Sequence, residues 1–384
     1  MRSCALLIAS LLTLAATAQT KQRARALGVP FDGTTGPLNA ITDVPGILVG
    51  YKTIIKGKAD SLIRGKGPVR TGVTVILPKG KSLEGYPAGW FSLNGDGEMT
   101  GIPYIDDYGR GYGAIGITNT NSVGTVRDAI GQWNTKEFSS GNSLDFAFSM
   151  PIVAETFDGM LNDINGFHVK TQDVWDALDS AHGGAIAEGN VGGGTGMSLF
   201  GFKGGSGTAS RVIRIDSTSY TVGVFVQANF GGRKFLNVAG VPVGKEITDL
   251  RPVVNMKEKK DGSIIVVIAT DAPLMPLQLK QVAKRAVIGI ARTGGWASNG
   301  SGDIFVALST HQPGLKGSLE QWSTVHKEMM DPIYLATAEA TEEAIINVLL
   351  AAETMQGING NTWHALPHDR LVQVLKQYNR FNKR

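Results

Sequence analysis

Three stretches of this chain hold residue types from which acyl-transfer chemistry can be built. In the first, Lys260-Asp261-Gly262-Ser263 runs directly into Ile264-Ile265-Val266-Val267-Ile268. A glycine turn thereby delivers a serine hydroxyl to the first position of an apolar strand. In the second, Ser298-Asn299-Gly300-Ser301-Gly302-Asp303 leads into another apolar run. Ser301 and Asp303 are two apart, so on extended backbone their side chains share a face. A hydroxyl beside a carboxylate orients a nucleophile or relays a proton. The third stretch, Val226-Gln227-Ala228-Asn229-Phe230-Gly231-Gly232, ends a buried strand at Asn229. An amide N–H there suits a developing oxyanion. Taken singly, each stretch also reads as plain structure. Asp261-Gly262 is a hairpin turn with Ser263 as its exit residue, the Ser and Asp of the second bond their own backbone in a turn, and Asn229 closes a strand.

Other chemistries fit poorly. The run Glu188-Gly189-Asn190-Val191-Gly192-Gly193-Gly194-Thr195-Gly196 has the glycines of a phosphate cradle, but Met197 stands where a P-loop needs Lys and then Ser or Thr. Close backbone approach to a substrate or another subunit is the better account of those glycines. His364 and His368 are four apart with Pro367 between them, and no H-E-x-x-H occurs, so neither a metal site nor any other cofactor is expected. No Gly-x-Ser-x-Gly elbow with its downstream Asp and His is matched. The net charge of +4 is scattered, and the one cluster, residues 257–261, has mixed sign, which gives no case for nucleic acid.

The elements that must position these residues are legible from periodicity. Residues 71–77, 113–118, 221–227, 263–270 and 303–309 are β-branched, apolar and turn-bounded, and read as strands. Residues 169–181 read as an amphipathic helix with Thr171 as N-cap, and 276–290 and 331–355 as two more helices. Several strands are apolar on both faces, which calls for sheets covered by helices in a layered α/β arrangement. Pattern alone does not separate one two-sheet domain from two smaller ones. Trp90, Trp133, Phe138 and Trp296 suit either a pocket wall or plain core.

At the N-terminus, Arg2, an apolar run from Ala5 to Leu14, and Ala16-Thr17-Ala18 form a secretory signal pattern with cleavage after Ala18. The run falls short of the ~20 residues a bilayer needs. Residues 1–18 are therefore expected to be removed, leaving a soluble protein in the periplasm or outside the cell. The single cysteine, Cys4, would leave with the signal, taking disulfides and thiolate chemistry with it.

The three stretches, with a long series of others in order, resemble the L-aminopeptidase D-amidase/D-esterase family, which includes the β-peptidyl aminopeptidases. The series runs through Leu27-Gly28-Val29-Pro30-Phe31-Asp32-Gly33, Asn94-Gly95-Asp96-Gly97-Glu98-Met99-Thr100-Gly101, Ile117-Thr118-Asn119-Thr120, Glu155-Thr156-Phe157-Asp158-Gly159 and the glycine run at 188–196. The resemblance implies an αββα sandwich of the N-terminal-nucleophile-hydrolase kind, one catalytic domain over 19–384 that cuts itself between Gly262 and Ser263. The products would be an α chain, 19–262, and a β chain, 263–384, assembled as αβ units in an oligomer, often a tetramer. It further implies Ser263 as nucleophile, Asn229 as oxyanion donor, Ser301 and Asp303 flanking the nucleophile, and Glu155 as partner of the substrate amine. Two departures stand out: Phe157 replaces the family's tyrosine, and Asp303 replaces the glutamate of the β-peptidases. The freed α-amine and the Ser301 hydroxyl are both candidates for the base.

The expected activity is release of N-terminal residues, β-amino acids such as β-alanine, from short peptides and amides. The alternatives are α-amino acid amides and esters of L or D configuration, acyl transfer as in ornithine acetyltransferases, which cut before a threonine, and a non-catalytic homologue.

Overall fold

The computed structural model describes residues 22–59, 61–140, 150–255 and 262–382. The expected signal lies outside the described residues, as do Lys260 and Asp261. Long β-branched runs make the strands. In chain order these are β1 (Leu48–Lys56), β2 (Val69–Leu77), β3 (Gly85–Gly95), β4 (Arg110–Tyr112), β5 (Ile115–Thr118), β6 (Ile152–Glu155), β7 (Ser198–Leu199), β8 (Phe202–Lys203), β9 (Gly205–Ile215), β10 (Thr218–Asn229), β11 (Ser263–Thr270) and β12 (Gly302–Ser309). The helices are α1 (Ile102–Tyr108), α2 (Val123–Phe138), α3 (Thr171–Asp179), α4 (Val243–Glu246), α5 (Pro276–Arg292), α6 (Asp331–Ala351) and α7 (His368–Gln377).

Two sheets carry the fold, one ordered β1-β2-β5-β6 and the other β4-β3-β12-β11-β10-β9. Parallel neighbours need a crossover long enough to return the chain. Helix α2 lies in the crossover between β5 and β6, and α5 supplies the one between β11 and β12. Side-chain alternation then sorts the core into layers. On β11, Ile265, Val267 and Ala269 meet Ile76, Ile115 and Ile117 of the smaller sheet. Ile264, Val266 and Ile268 point the other way, into a core shared with α5 and α6. Helices α2 and α3 cover the outer face of the smaller sheet through Val126, Ile130, Val174 and Leu178. The order is helix, sheet, sheet, helix, and no helix among the described residues is long and apolar enough to cross a membrane. Each fully buried Ile or Val on β11 contributes roughly 1.5–3 kcal/mol, and because every residue of that strand is buried its register is strongly held.

Local expectations are corrected in three places. Gly113, at φ +69°, breaks the strand expected over 113–118 into β4 and β5. Helix α3 begins at Thr171, and Lys170 is its N-cap, with its N–H donating to Asp173 Oδ2 at 2.9 Å. Helix α6 ends at Ala351, short of residue 355. The glycine run at 188–196 approaches its own chain. A Cβ on Gly193 would fall 2.2 Å from Gln227 Oε1, and one on Gly194 2.4 Å from the Ser206 nitrogen. The Gly192 and Gly193 N–H groups donate to Thr53 and Thr74 Oγ at 2.9 and 3.1 Å. The run is a wedge between the two sheets.

Candidate active site

The neighbours of β11 in the sheet are β10 and β12. Gly262 therefore does not turn a hairpin that pairs with β11, and Ser263 is the first residue of a strand inserted between two others. In the antiparallel register Ser263 lies opposite Asn229, and in the parallel register opposite Gly302, between Ser301 and Asp303. All five expected site side chains, Ser263, Asn229, Glu155, Ser301 and Asp303, are buried. Gly262 is required by close packing: a Cβ there would fall 1.7 Å from the Asn229 carbonyl oxygen.

Gly262 and Ser263 share a cavity of about 220 Å³ with Glu155, Phe157, Thr120, Asp96, Gly97, Glu98 and Gly300. Drug-sized ligands need roughly 300 Å³ or more, so this is room for one small residue. None of Trp90, Trp133, Phe138 and Trp296 lines it; Trp133 is core, and Trp90 Nε1 donates to Asp106 Oδ1 at 2.8 Å. Glu155 ends β6. The Thr120 hydroxyl donates to its Oε2, and the Glu98 N–H donates to its Oε1 at 3.2 Å. Small residues bring this carboxylate close to the strand ends. A Cβ on Gly97 would fall 3.3 Å from Glu155 Oε1 and 3.2 Å from the Gly302 Cα.

Asn229 is held with its amide in one sense. The Ser198 N–H donates to Oδ1 at 2.8 Å, with the Ser198 hydroxyl at 3.3 Å, and Nδ2 donates to the Phe157 carbonyl at 2.9 Å. Both outer partners are backbone groups of fixed polarity, so the amide cannot be reversed without losing both bonds. An amide nitrogen carries two N–H groups, which leaves one beyond the Phe157 bond.

Ser301 and Asp303 do not line the cavity. Ser301 Oγ donates to Asp303 Oδ1 at 2.8 Å. By alternation Asp303 shares the side of Phe305 and Ala307, which faces the helices, whereas Ser263 shares the side of Ile265, which faces the other sheet. The pair meets the serine through the backbone. Burial pushes the Asp303 carboxyl up to about 6, against the Ser301 hydroxyl and a backbone hydrogen bond from Ile264 that hold it down. Among the described residues no group of three or more His, Cys, Asp or Glu is placed to hold a metal ion.

Ser198, Thr120 and the Phe157 carbonyl join the site without having been legible as site groups in the sequence. Each acts across 31 to 72 residues of chain; Thr120 and Phe157 lie in stretches that carry the family resemblance, but nothing in those stretches marks the contact made.

Known proteins are similar to this chain over nearly its whole length. Residues 39–363 match the model of peptidase family S58. The chain is 50% identical to the beta-peptidyl aminopeptidase BapA of Sphingosinicella microcystinivorans, over 97% of each chain. It is 45% identical to that of Sphingosinicella xenopeptidilytica, over 97% of this chain and 95% of the other. Among solved structures, the L-aminopeptidase D-Ala-esterase/amidase of Ochrobactrum anthropi superposes with a TM-score of 0.87 at 46% identity, over 94% of this chain and 99% of that one. It is described as a prototype for the serine aminopeptidases and a variant among the Ntn hydrolase fold. A Burkholderia beta-aminopeptidase superposes with a TM-score of 0.84 at 42% identity, over 93% and 99% of the two chains.

Proposed function

The chain belongs to peptidase family S58 as a serine-type aminopeptidase, and we propose that it makes its own catalyst by cutting the Gly262–Ser263 bond. Ser263 Oγ attacks the Gly262 carbonyl carbon, the C–N bond breaks as the acyl group moves to oxygen, and water hydrolyses the resulting ester. The products are a carboxylate on Gly262 and a free α-amine on Ser263. In this first step the Ser263 nitrogen is still an amide and cannot act as base. The Ser301–Asp303 pair, on the other face of the strands, acts on the serine only through the shared backbone, and the proton leaves to water in the cavity. In the processed enzyme the α-amine, with an ordinary pKa of ~7.7–8.0, joins as a second proton acceptor.

Turnover repeats the chemistry on a substrate amide. Ser263 Oγ attacks, the free Asn229 N–H stabilises the oxyanion, the amine product leaves, and water releases the acyl group. Glu155 pairs with the substrate ammonium. The observation that carries this reading is the cavity that holds Gly262, Ser263 and Glu155 together beside Asn229. Its small volume supports short substrates entered by their N-terminus. The names of the Sphingosinicella and Burkholderia relatives favour β-amino acids as the residue released. The Ochrobactrum enzyme's name favours the second reading, α-amino acid amides and esters of either hand. Export with loss of residues 1–18, and assembly of αβ units into an oligomer, belong to the same proposal.

Intact-mass analysis of the purified protein tests the processing. Two species with the masses of 19–262 and 263–384 are expected, and a single full-length mass would sink the self-cutting account. A kinetic comparison tests the clamp: β-alanine p-nitroanilide should be turned over at least about a hundredfold faster than its N-acetyl derivative, since a buried carboxylate left without its cation costs ~3 kcal/mol or more. Equal rates would remove Glu155 from this role.

A further inference from the structure

Beyond Glu155, a second buried acid stands on the same turn. β5 and β6 run parallel and end level with each other, Thr118 opposite Glu155. The segments that follow are cross-linked. The Thr120 hydroxyl of the first donates to Glu155 of the second. Asp158 of the second, fully buried, lies beside Asn119 and Thr71. Its Oδ1 accepts from Asn162 Nδ2 at 3.0 Å, and Asn119 Nδ2 donates to Thr71 Oγ at 2.7 Å. By geometry, two oxygens in this cluster, Asp158 Oδ2 and Asn119 Oδ1, have no hydrogen-bond partner among the described residues, although Thr71 and Asn119 stand close enough to Asp158 to hold its carboxyl down. Both are acceptors when the acid is ionised, and burying either without a donor is costly.

We propose that Asp158 works as a neutral carboxylic acid, its Oδ2–H donating to Asn119 Oδ1, and so pins the turn from Glu155 to Asp158. That turn carries both the Glu155 carboxylate and the Phe157 carbonyl on which Asn229 is seated. Asp158 is thus a positioning residue for the amine clamp and the oxyanion donor, an inference that rests on the roles proposed for those two groups.

The charges around it agree. Burial pushes the Asp158 carboxyl up to about 7, against hydrogen bonds from Thr71, Asn162 and Asn119 that hold it down, and the Glu155 carboxylate adds a smaller push upward. On β2, Arg70 turns its guanidinium to the carbonyls of Lys56, Val69, Gly57 and Gln356. On the loop beyond, Asp163 is occupied by His168 at 2.8 Å. The neutral acid is present below pH about 7 and is lost as pH rises through it.

The test uses the processed enzyme and Asp158→Asn, whose amide can donate to Asn119 and accept from Asn162 at every pH. From a unit below pH 7 to a unit above it, the wild type's KM for β-alanine p-nitroanilide should rise by about five- to tenfold, the worth of one hydrogen bond. The ratio of the wild-type KM to that of D158N should show this rise, because titration of the substrate amine and of the Ser263 α-amine is common to both enzymes and cancels. Infrared difference spectra of wild type minus D158N below pH 7 should show a protonated carboxyl C=O stretch that fades above it. Parallel KM profiles in the two enzymes, or no such band, overturn the proposal. The band does not depend on turnover, so it answers even if the role given to Glu155 is wrong. Should D158N fail to fold, Asn119→Ala, which removes the proposed acceptor of the Asp158 proton, should shift that protonated carboxyl C=O stretch, and an unshifted band overturns the proposal.

Discussion

Ser263→Ala is expected to yield one uncut chain and no measurable aminopeptidase turnover, a loss of roughly a millionfold if Ser263 is the only nucleophile. The substitution deletes one oxygen and keeps the Cβ. The Ser263 hydroxyl makes no hydrogen bond among the described residues, so its removal breaks none of the contacts that hold β11. The flanking residue Ile264 and the pairing to β10 and β12 are untouched. The thermal midpoint should accordingly stay close to that of the wild type, while denaturing gels and intact mass show the precursor alone. A variant that still separates into 19–262 and 263–384 would assign the cut to another group and strip Ser263 of its role as nucleophile. Ser263→Thr, which keeps a hydroxyl but adds a methyl in a cavity of about 220 Å³, should cut slowly and separate loss of the nucleophile from loss of fold.

The strands and helices nearest the chemistry are legible because their signals are local. β11 begins and ends where the run from Ser263 to Thr270 predicts, and α5 departs from its expected span by two residues at its C-terminal end. Both have long apolar periodicity with clear breakers. Helix α6 is expected in the right place but too long, because it is buried on nearly every side and its pattern has no polar face whose end marks the last turn. The division of 113–118 turns on the positive φ of Gly113, a conformation that composition does not announce.

Site residues divide along the same line. Ser301 and Asp303 are two apart on extended backbone, and the hydrogen bond between them follows from that spacing. What the spacing does not convey is which face of the sheet they take, since that depends on how β12 enters between β3 and β11. Asp158, Thr120 and Ser198 belong to turns and strand ends whose partners arrive from distant segments. Their roles depend on two sheets stacking with β5 and β6 level, a tertiary fact. Asp158 leaves one trace in the sequence, an acid between an aromatic residue and a glycine just past an apolar strand, a position where an exposed acid is the common expectation.

Asn229→Ala should slow two reactions by the same factor. The proposed oxyanion occupies one place in both, first on the Gly262 carbonyl and then on the substrate's. Losing one such donor raises a barrier by ~3–4 kcal/mol, a factor of roughly 10²–10³. Both kcat and the first-order rate of precursor cutting should fall by about that factor, with KM changed little, because the bond forms only as the oxyanion does. The amide has a second duty that must be separated from the first. Its Oδ1 takes the Ser198 N–H at 2.8 Å, and alanine leaves that donor unpaired. Ser198→Ala removes only the weaker hydroxyl contact at 3.3 Å and keeps the N–H bond. Its effect should be about tenfold or less on either rate. Asn229→Asp keeps the acceptor for Ser198 but sets a carboxylate oxygen against the Phe157 carbonyl and the nascent oxyanion, and should be slower than alanine. A kcat lowered a hundredfold with precursor cutting unchanged would mean that the two steps use different donors, and the idea of one geometry serving both would have to be given up.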